Sequence, residues 1–281
     1  MNEDRPGRYA RRHLLAMGGM GLVSALATRS PAKAAVAAPP SVDGLRKSIS
    51  LIVRKPPLTV EQFNGRWLGE HGPGSRKVPG LRGFVLGEVV ADPGSRPDAP
   101  AGPALDGITE SWQSAGIDRA AQARDNPLVR DWLAAAPTYI GAITIYATRE
   151  HVFVPPVRGG LKVMTLISRK PGASHEDFVR HVLEVHGPLS RDVPGLGGYV
   201  LSEIVRSAGM PGIPPVPGLG EIDIIGTSWL PTEPGRGTAD SPGRRAWLAD
   251  GAAHFGRFVR YAMVEHVFIP PPDPSAPPAP R

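Results

Sequence analysis

The chain has 281 residues, no cysteine, 33 prolines, 34 glycines and a formal net charge of +6. Without thiols, disulfides, Cys-ligated metals, iron–sulfur clusters and a cysteine nucleophile are excluded. Most of the positive charge sits in the first 34 residues, where six basic side chains face only Glu3 and Asp4. The rest of the chain carries no basic stripe, which excludes a nucleic-acid footprint.

Residues 1–34 read as a secretory signal. Arg11-Arg12-His13-Leu14-Leu15 precedes a Gly/Ala-rich apolar run, and a small-residue cleavage site follows between Ala34 and Ala35. The arginine pair followed by x-Leu-Leu predicts the twin-arginine class. That class implies export of an already folded protein, a periplasmic or secreted location, and membrane contact only through the export machinery. Residues 35–46 are a linker.

The rest of the chain is written twice. Residues 71–90 read HGPGSRKVPGLRGFVLGEVV and residues 186–205 read HGPLSRDVPGLGGYVLSEIV, with fourteen of twenty positions identical at an offset of 115. The offset extends to Arg54/Arg169, Phe63/Phe178, Trp132/Trp247, Tyr146/Tyr261 and Glu150-His151/Glu265-His266. A period this long is a duplicated domain, since solenoid units repeat every 20–50 residues or so. The boundaries fall at 47–157 and 158–271, with a Pro-rich tail at 272–281.

Each copy predicts the same succession of elements. Ser48–Val53 and Leu161–Ser168 are short β-branched runs ended by Arg-Lys-Pro, and read as strands. Thr59 with Gln62, and Ser174 with Asp177, open helices whose apolar residues recur at helical spacing. Those helices are expected to end near His71-Gly72-Pro73 and its copy, because proline cannot continue them. Leu81–Val90 and Leu196–Val205 are second strands, and Asp106–Trp112 and Asp223–Trp229 are third strands. Ile117–Leu133 and Asp240–Ala249 are second helices, and Ile140–Val154 and Phe258–Ile269 are last strands. The order βαββαβ is the ferredoxin-like split unit. The fold class is therefore α+β: two ferredoxin-like units that cover each other's bare sheets within one chain, leaving room between them for a small ligand.

The block HGP–SR–VPGL–G(F/Y)VL–E, with Asp-Gly-Ile…Ser-Trp and Glu-His-Val-Phe, resembles the EthD family of dimeric α/β-barrel proteins over almost the whole chain after residue 47. The resemblance implies a small apolar or aromatic carbonyl or ether-derived substrate in an oxidative catabolic or polyketide-like pathway. It also implies an activity of the oxidoreductase-associated, dehydratase or decarboxylase kind. No nucleotide or flavin motif is present, so no cofactor is expected. Two alternatives stand beside the enzyme: a non-catalytic periplasmic binding protein, and a haem-binding barrel. Association of two chains is left open.

Several residue pairs could carry chemistry. His71 and His186, where the first helices turn, are acid/base candidates, or else rings that cap helix carbonyls. Arg76 and Arg191, five residues on, could hold a carboxylate or enolate, or pair with a surface carboxylate. Asp106 and Asp223 share a strand face with Trp112 and Trp229 by period two, and an Asp beside a Trp could shuttle a proton; the plainer reading is a turn Asp and a core Trp. Glu110 lies on the same face but becomes Thr227 in the copy. Tyr146, Tyr261, His151 and His266 are cavity-lining candidates; the two histidines could join as ligands, although no metal-ligand spacing supports a metal site.

Overall fold

The computed structural model describes residues 44–91, 102–157, 160–230 and 240–273. The signal-peptide reading and most of the linker and tail lie outside the described residues. The first repeat supplies β1 (Leu45–Arg54), α1 (Val60–Arg66), α2 (Gly72–Gly74), β2 (Leu81–Val90), β3 (Gly107–Ser114), α3 (Arg119–Asp125), α4 (Pro127–Ala134) and β4 (Ile140–Val154). The second supplies β5 (Leu161–Arg169), α5 (His175–His181), α6 (Gly187–Leu189), β6 (Gly198–Ala208), β7 (Ile224–Leu230), α7 (Pro242–His254) and β8 (Phe255–Ile269).

The eight strands close into one antiparallel barrel in the order β1-β3-β2-β8-β5-β7-β6-β4. Each repeat contributes four adjacent strands, and the two sheets join edge to edge through β2–β8 and β4–β6. The last strands make this possible. β4 is 15 residues long; it pairs with β1 through Ile140–Thr148 and then with β6 of the other repeat as far as Val154. β8 does the same with β5 and β2. Closure leaves no unpaired sheet edge to recruit another strand.

The helix starts match their sequence signals. Thr59 accepts from the Gln62 amide and Gln62 returns the bond to the Thr59 amide, a complete capping box. The helix ends do not match. Instead of stopping at His71-Gly72-Pro73, the helix widens into a π-turn at Trp67–His71, where the Gly72 amide bonds to the Trp67 carbonyl, and continues as α2. The second repeat repeats this at Val182–His186. The wider turn puts proline in the first turn of the next helical segment, where its missing N–H costs nothing. The second helix of the first repeat is broken at Asn126, whose extended backbone is what a residue before Pro127 favours. α7 runs unbroken to His254, five residues beyond its predicted end.

Two outer cores lie between sheet and helices, one per repeat, and a third fills the barrel. The outer cores are cross-linked between repeats. Phe268 on β8 lies against Gly72, where an added Cβ would stand 2.2 Å from the ring; Phe153 on β4 lies against Gly187, at 2.4 Å. Arg76 donates to the Phe268 carbonyl at 3.0 Å and Arg191 to the Phe153 carbonyl at 3.3 Å. These two arginines, read either as holding a substrate carboxylate or enolate or as pairing with a surface carboxylate, each fasten a helix segment to the other repeat's last strand.

Candidate functional site

The barrel interior follows from strand alternation. Lys47, Ile49 and Leu51 on β1 pair across with Trp112, Glu110 and Ile108 on β3, so all six share the inner face. Glu110 sits between the repeats: Lys47 lies 2.9 Å from one of its oxygens, and Lys162 bonds the other. Lys47 also meets Glu150 at 2.6 Å, and its counterpart Lys162 meets Glu265 at 2.9 Å. The indoles complete the set, Trp112 donating to Glu150 at 3.3 Å and Trp229 to Glu265 at 3.0 Å. Burial alone would push the Glu110 carboxyl up, but Lys162 and Lys47 outweigh it and hold it at about 2. Burial would lower the Lys47 ammonium, yet Glu110 and Glu150 raise it. Thr227 stands in the place of Glu110 in the second repeat, and its buried hydroxyl has no partner among the described residues.

This network and the apolar cluster around it occupy the middle of the barrel, so the ligand space expected between the sheets is filled there. A depression of about 650 Å³ remains at one end, lined by Thr144, Tyr146, Val216, Leu219, Arg169 and Asp223. Tyr146 lines it, while the equivalent Tyr261 donates to the Pro103 carbonyl at 2.9 Å. Burial raises both phenols to about 12.

The aspartates are held by arginines, Asp223 at the edge of this depression. Asp106 accepts from the Arg54 amide at 2.8 Å and bonds its guanidinium, and Asp223 does the same with Arg169 while contacting His175 at 2.7 Å. Six extended residues separate Asp106 from Trp112, a distance of roughly 20 Å, so the expected Asp–Trp pair does not form. The aspartates tie strand ends together. His151 and His266 face outward at the seams between repeats, 3.3 Å from Glu203 and 3.2 Å from Glu88. Their neighbours Glu150 and Glu265 point inward instead, so the two histidines do not converge on a shared cavity.

His71 and His186 lie outside the barrel, under the helices and against the sheet's outer face. They are not at the barrel mouth, and their rings do not cap the helix. His71 stacks on Trp132 with ring centroids 4.2 Å apart and neighbours Phe84 and Tyr139. Its Nδ1 and the Tyr139 hydroxyl are buried without a partner among the described residues. Burial drives the His71 pKa down to about 3. His186 is 3 % exposed within a similar shell of Tyr199, Trp247 and Phe255. It differs in one respect: its Nδ1 lies 2.9 Å from the Asp250 carboxylate. Burial lowers its pKa and Asp250 works against that shift. At the offset of 115, Asp250 corresponds to Ala135, His254 to Tyr139 and His181 to Arg66. Asp250 also meets His181 at 3.0 Å and His254 at 3.3 Å. Sequence reasoning missed this group. The available signal was that His181, Asp250 and His254 stand where the first repeat has Arg66, Ala135 and Tyr139.

No family model matches the chain, and no curated protein matches it. Among solved structures the chain is similar to an anthrone oxidase-like protein, at a TM-score of 0.53 and 13 % identity, covering 81 % of this chain and 95 % of that one. Two candidate monooxygenases also align. One, from Lactobacillus acidophilus NCFM, has a TM-score of 0.48 at 9 % identity and covers 80 % of this chain and 96 % of that one. The other, from Fusobacterium nucleatum, has 0.49 at 10 % and covers 79 % and 93 %. The first likeness shows the fold: this chain is a dimeric α/β barrel built within one polypeptide.

Proposed function

We propose that this chain is an EthD-like small-molecule enzyme, exported by the twin-arginine route, in which His186 moves a proton on a small apolar or aromatic carbonyl compound. The observation that carries the proposal is the 2.9 Å contact between His186 Nδ1 and Asp250 inside an aromatic shell. A carboxylate on Nδ1 fixes that nitrogen as the protonated one and leaves Nε2 as the base. Nε2 takes the acidic C–H proton of the substrate. The resulting carbanion delocalises into the carbonyl, and Asp250 stabilises the imidazolium. The step transfers only a proton and draws on no redox group. Trp247, Tyr199 and Phe255 supply faces for an aromatic ligand to stack upon. His186 lies under α7, the helix that also carries Asp250 and Trp247.

The name of the anthrone oxidase-like neighbour suggests the first probe, anthrone itself. In heavy water, the wild-type chain should speed deuterium incorporation at the anthrone methylene above the rate in buffer, and His186→Gln should remove that gain. Binding of anthrone with no catalysed exchange would support the carrier reading instead. Export is tested by fractionating the source cells, where the mature chain should appear outside the cytoplasm and Arg11→Lys/Arg12→Lys should retain it inside.

A further inference from the structure

We infer that His181, Asp250 and His254 form a binding site for a divalent transition cation of the zinc class. The three side chains come from two elements, α5 and α7, and each offers one ligand atom within 4.8 Å of the others. Asp250 and His254 are one helical turn apart, so both project from the same face of α7. His181 Nε2 and His254 Nδ1 lie 3.0 Å and 3.3 Å from one Asp250 oxygen. The two imidazoles stack with centroids 3.7 Å apart, so the rings turn for both nitrogens to face one ion at bonds of about 2.0–2.1 Å. Two imidazoles and a carboxylate are a borderline donor set that suits zinc and its neighbours better than calcium or magnesium.

The duplication supplies an independent observation. In the first repeat the same three places hold Arg66, Ala135 and Tyr139, which offer a fixed cation, a methyl group and a phenol. The surrounding scaffold is shared, with Trp132 matching Trp247 and His71 matching His186. All three exchanges remove an obstacle to a cation or add a ligand to it. They fall on one spot in space, though scattered over 74 positions of sequence, from 181 to 254. The other Asp250 oxygen is held by His186, the outer-shell support that ligating carboxylates usually have. His254 is 44 % exposed on its side chain, which leaves a coordination position open to water or an added ligand. His254 Nδ1 also sits 2.9 Å from the Asp250 carbonyl, so metal entry replaces that hydrogen bond. The site shares only Asp250 with the proposed proton-transfer centre, and either can fail without the other.

The test is zinc binding by the full chain after removal of metal with a chelator. Competition against a chromophoric chelator gives affinity, and elemental analysis gives stoichiometry. One zinc per chain is expected, weakened at least about tenfold in the double variant His181→Arg/His254→Tyr, which carries the first repeat's residues. Cobalt(II) in the wild-type chain should give the intense visible bands of a tetrahedral site, a readout that does not depend on how the variant folds. Equal zinc binding by wild type and variant, or cobalt bound only as the pale octahedral ion, would overturn the inference.

Discussion

Asp250 holds Nδ1 of His186 at 2.9 Å, and the matching place beside His71 is taken by Ala135. Two histidines that occupy the same position in a duplicated fold therefore meet different electrostatics. One has a carboxylate partner. The other is desolvated with its Nδ1 unsatisfied.

The first prediction concerns acid stability. The fold keeps His71 neutral down to about pH 3, whereas the unfolded chain protonates it below its ordinary value of 6.5. Its contribution is therefore intact above pH 6.5 and is lost as pH falls towards 3, at about 1.4 kcal/mol per pH unit. In urea titrations across this range, His71→Phe should show a shallower loss of stability than wild type, by up to one proton. Equal slopes would mean that the ring is solvated.

A second prediction follows from the Ala135/Asp250 pair. Ala135→Asp should give His71 the partner that His186 already has. The His71 pKa should then move up from about 3, as read from its ring proton shifts during an NMR titration.

The barrel centre gives a third. Glu110→Gln removes the carboxylate shared by Lys47 and Lys162 and leaves two buried ammonium groups with one glutamate each. Each lysine keeps a glutamate, so the cost is that of lost charged hydrogen bonds, about 1.5–3 kcal/mol. Chemical denaturation should show a loss of that order, with the loss persisting at high salt because the site is screened from solvent.

The links between repeats give a fourth. Gly187→Ala places a methyl group 2.4 Å from the Phe153 ring, and Gly72→Ala does the same at 2.2 Å from Phe268. Overpacking of this kind costs about 1–3 kcal/mol. Each single variant should lower the melting temperature, and Gly187→Ala/Phe153→Leu should recover part of the loss.

Most of the fold was legible because duplication wrote each signal twice. Thr59 with Gln62 marked a helix start, and the edges of β2 and β4 fell at the predicted residues. The course of the chain at Pro73 was not legible, since a π-turn depends on how the helix packs as much as on its sequence. The site was far less visible. Period two placed Glu110 and Trp112 on one inner face, but Lys47 and Lys162 reach Glu110 from 63 and 52 positions away, and Glu150 and Glu265 from 103, pairings that no local pattern announces. Asp106 was legible as a strand-opening residue, but not its guanidinium partner, Arg54, which lies on another strand. The histidines of the HGP motif were found by sequence, yet which of them has a carboxylate depends on α7, the helix whose pattern differs most between repeats.

The most direct measurement is the tautomer of His186, from long-range proton–nitrogen NMR of the ring in metal-free protein at neutral pH. The proton should reside on Nδ1, facing Asp250, with Nε2 bare, and Asp250→Ala should abolish that preference. A His186 ring protonated on Nε2, unchanged by Asp250→Ala, would contradict the account of this histidine as an oriented base.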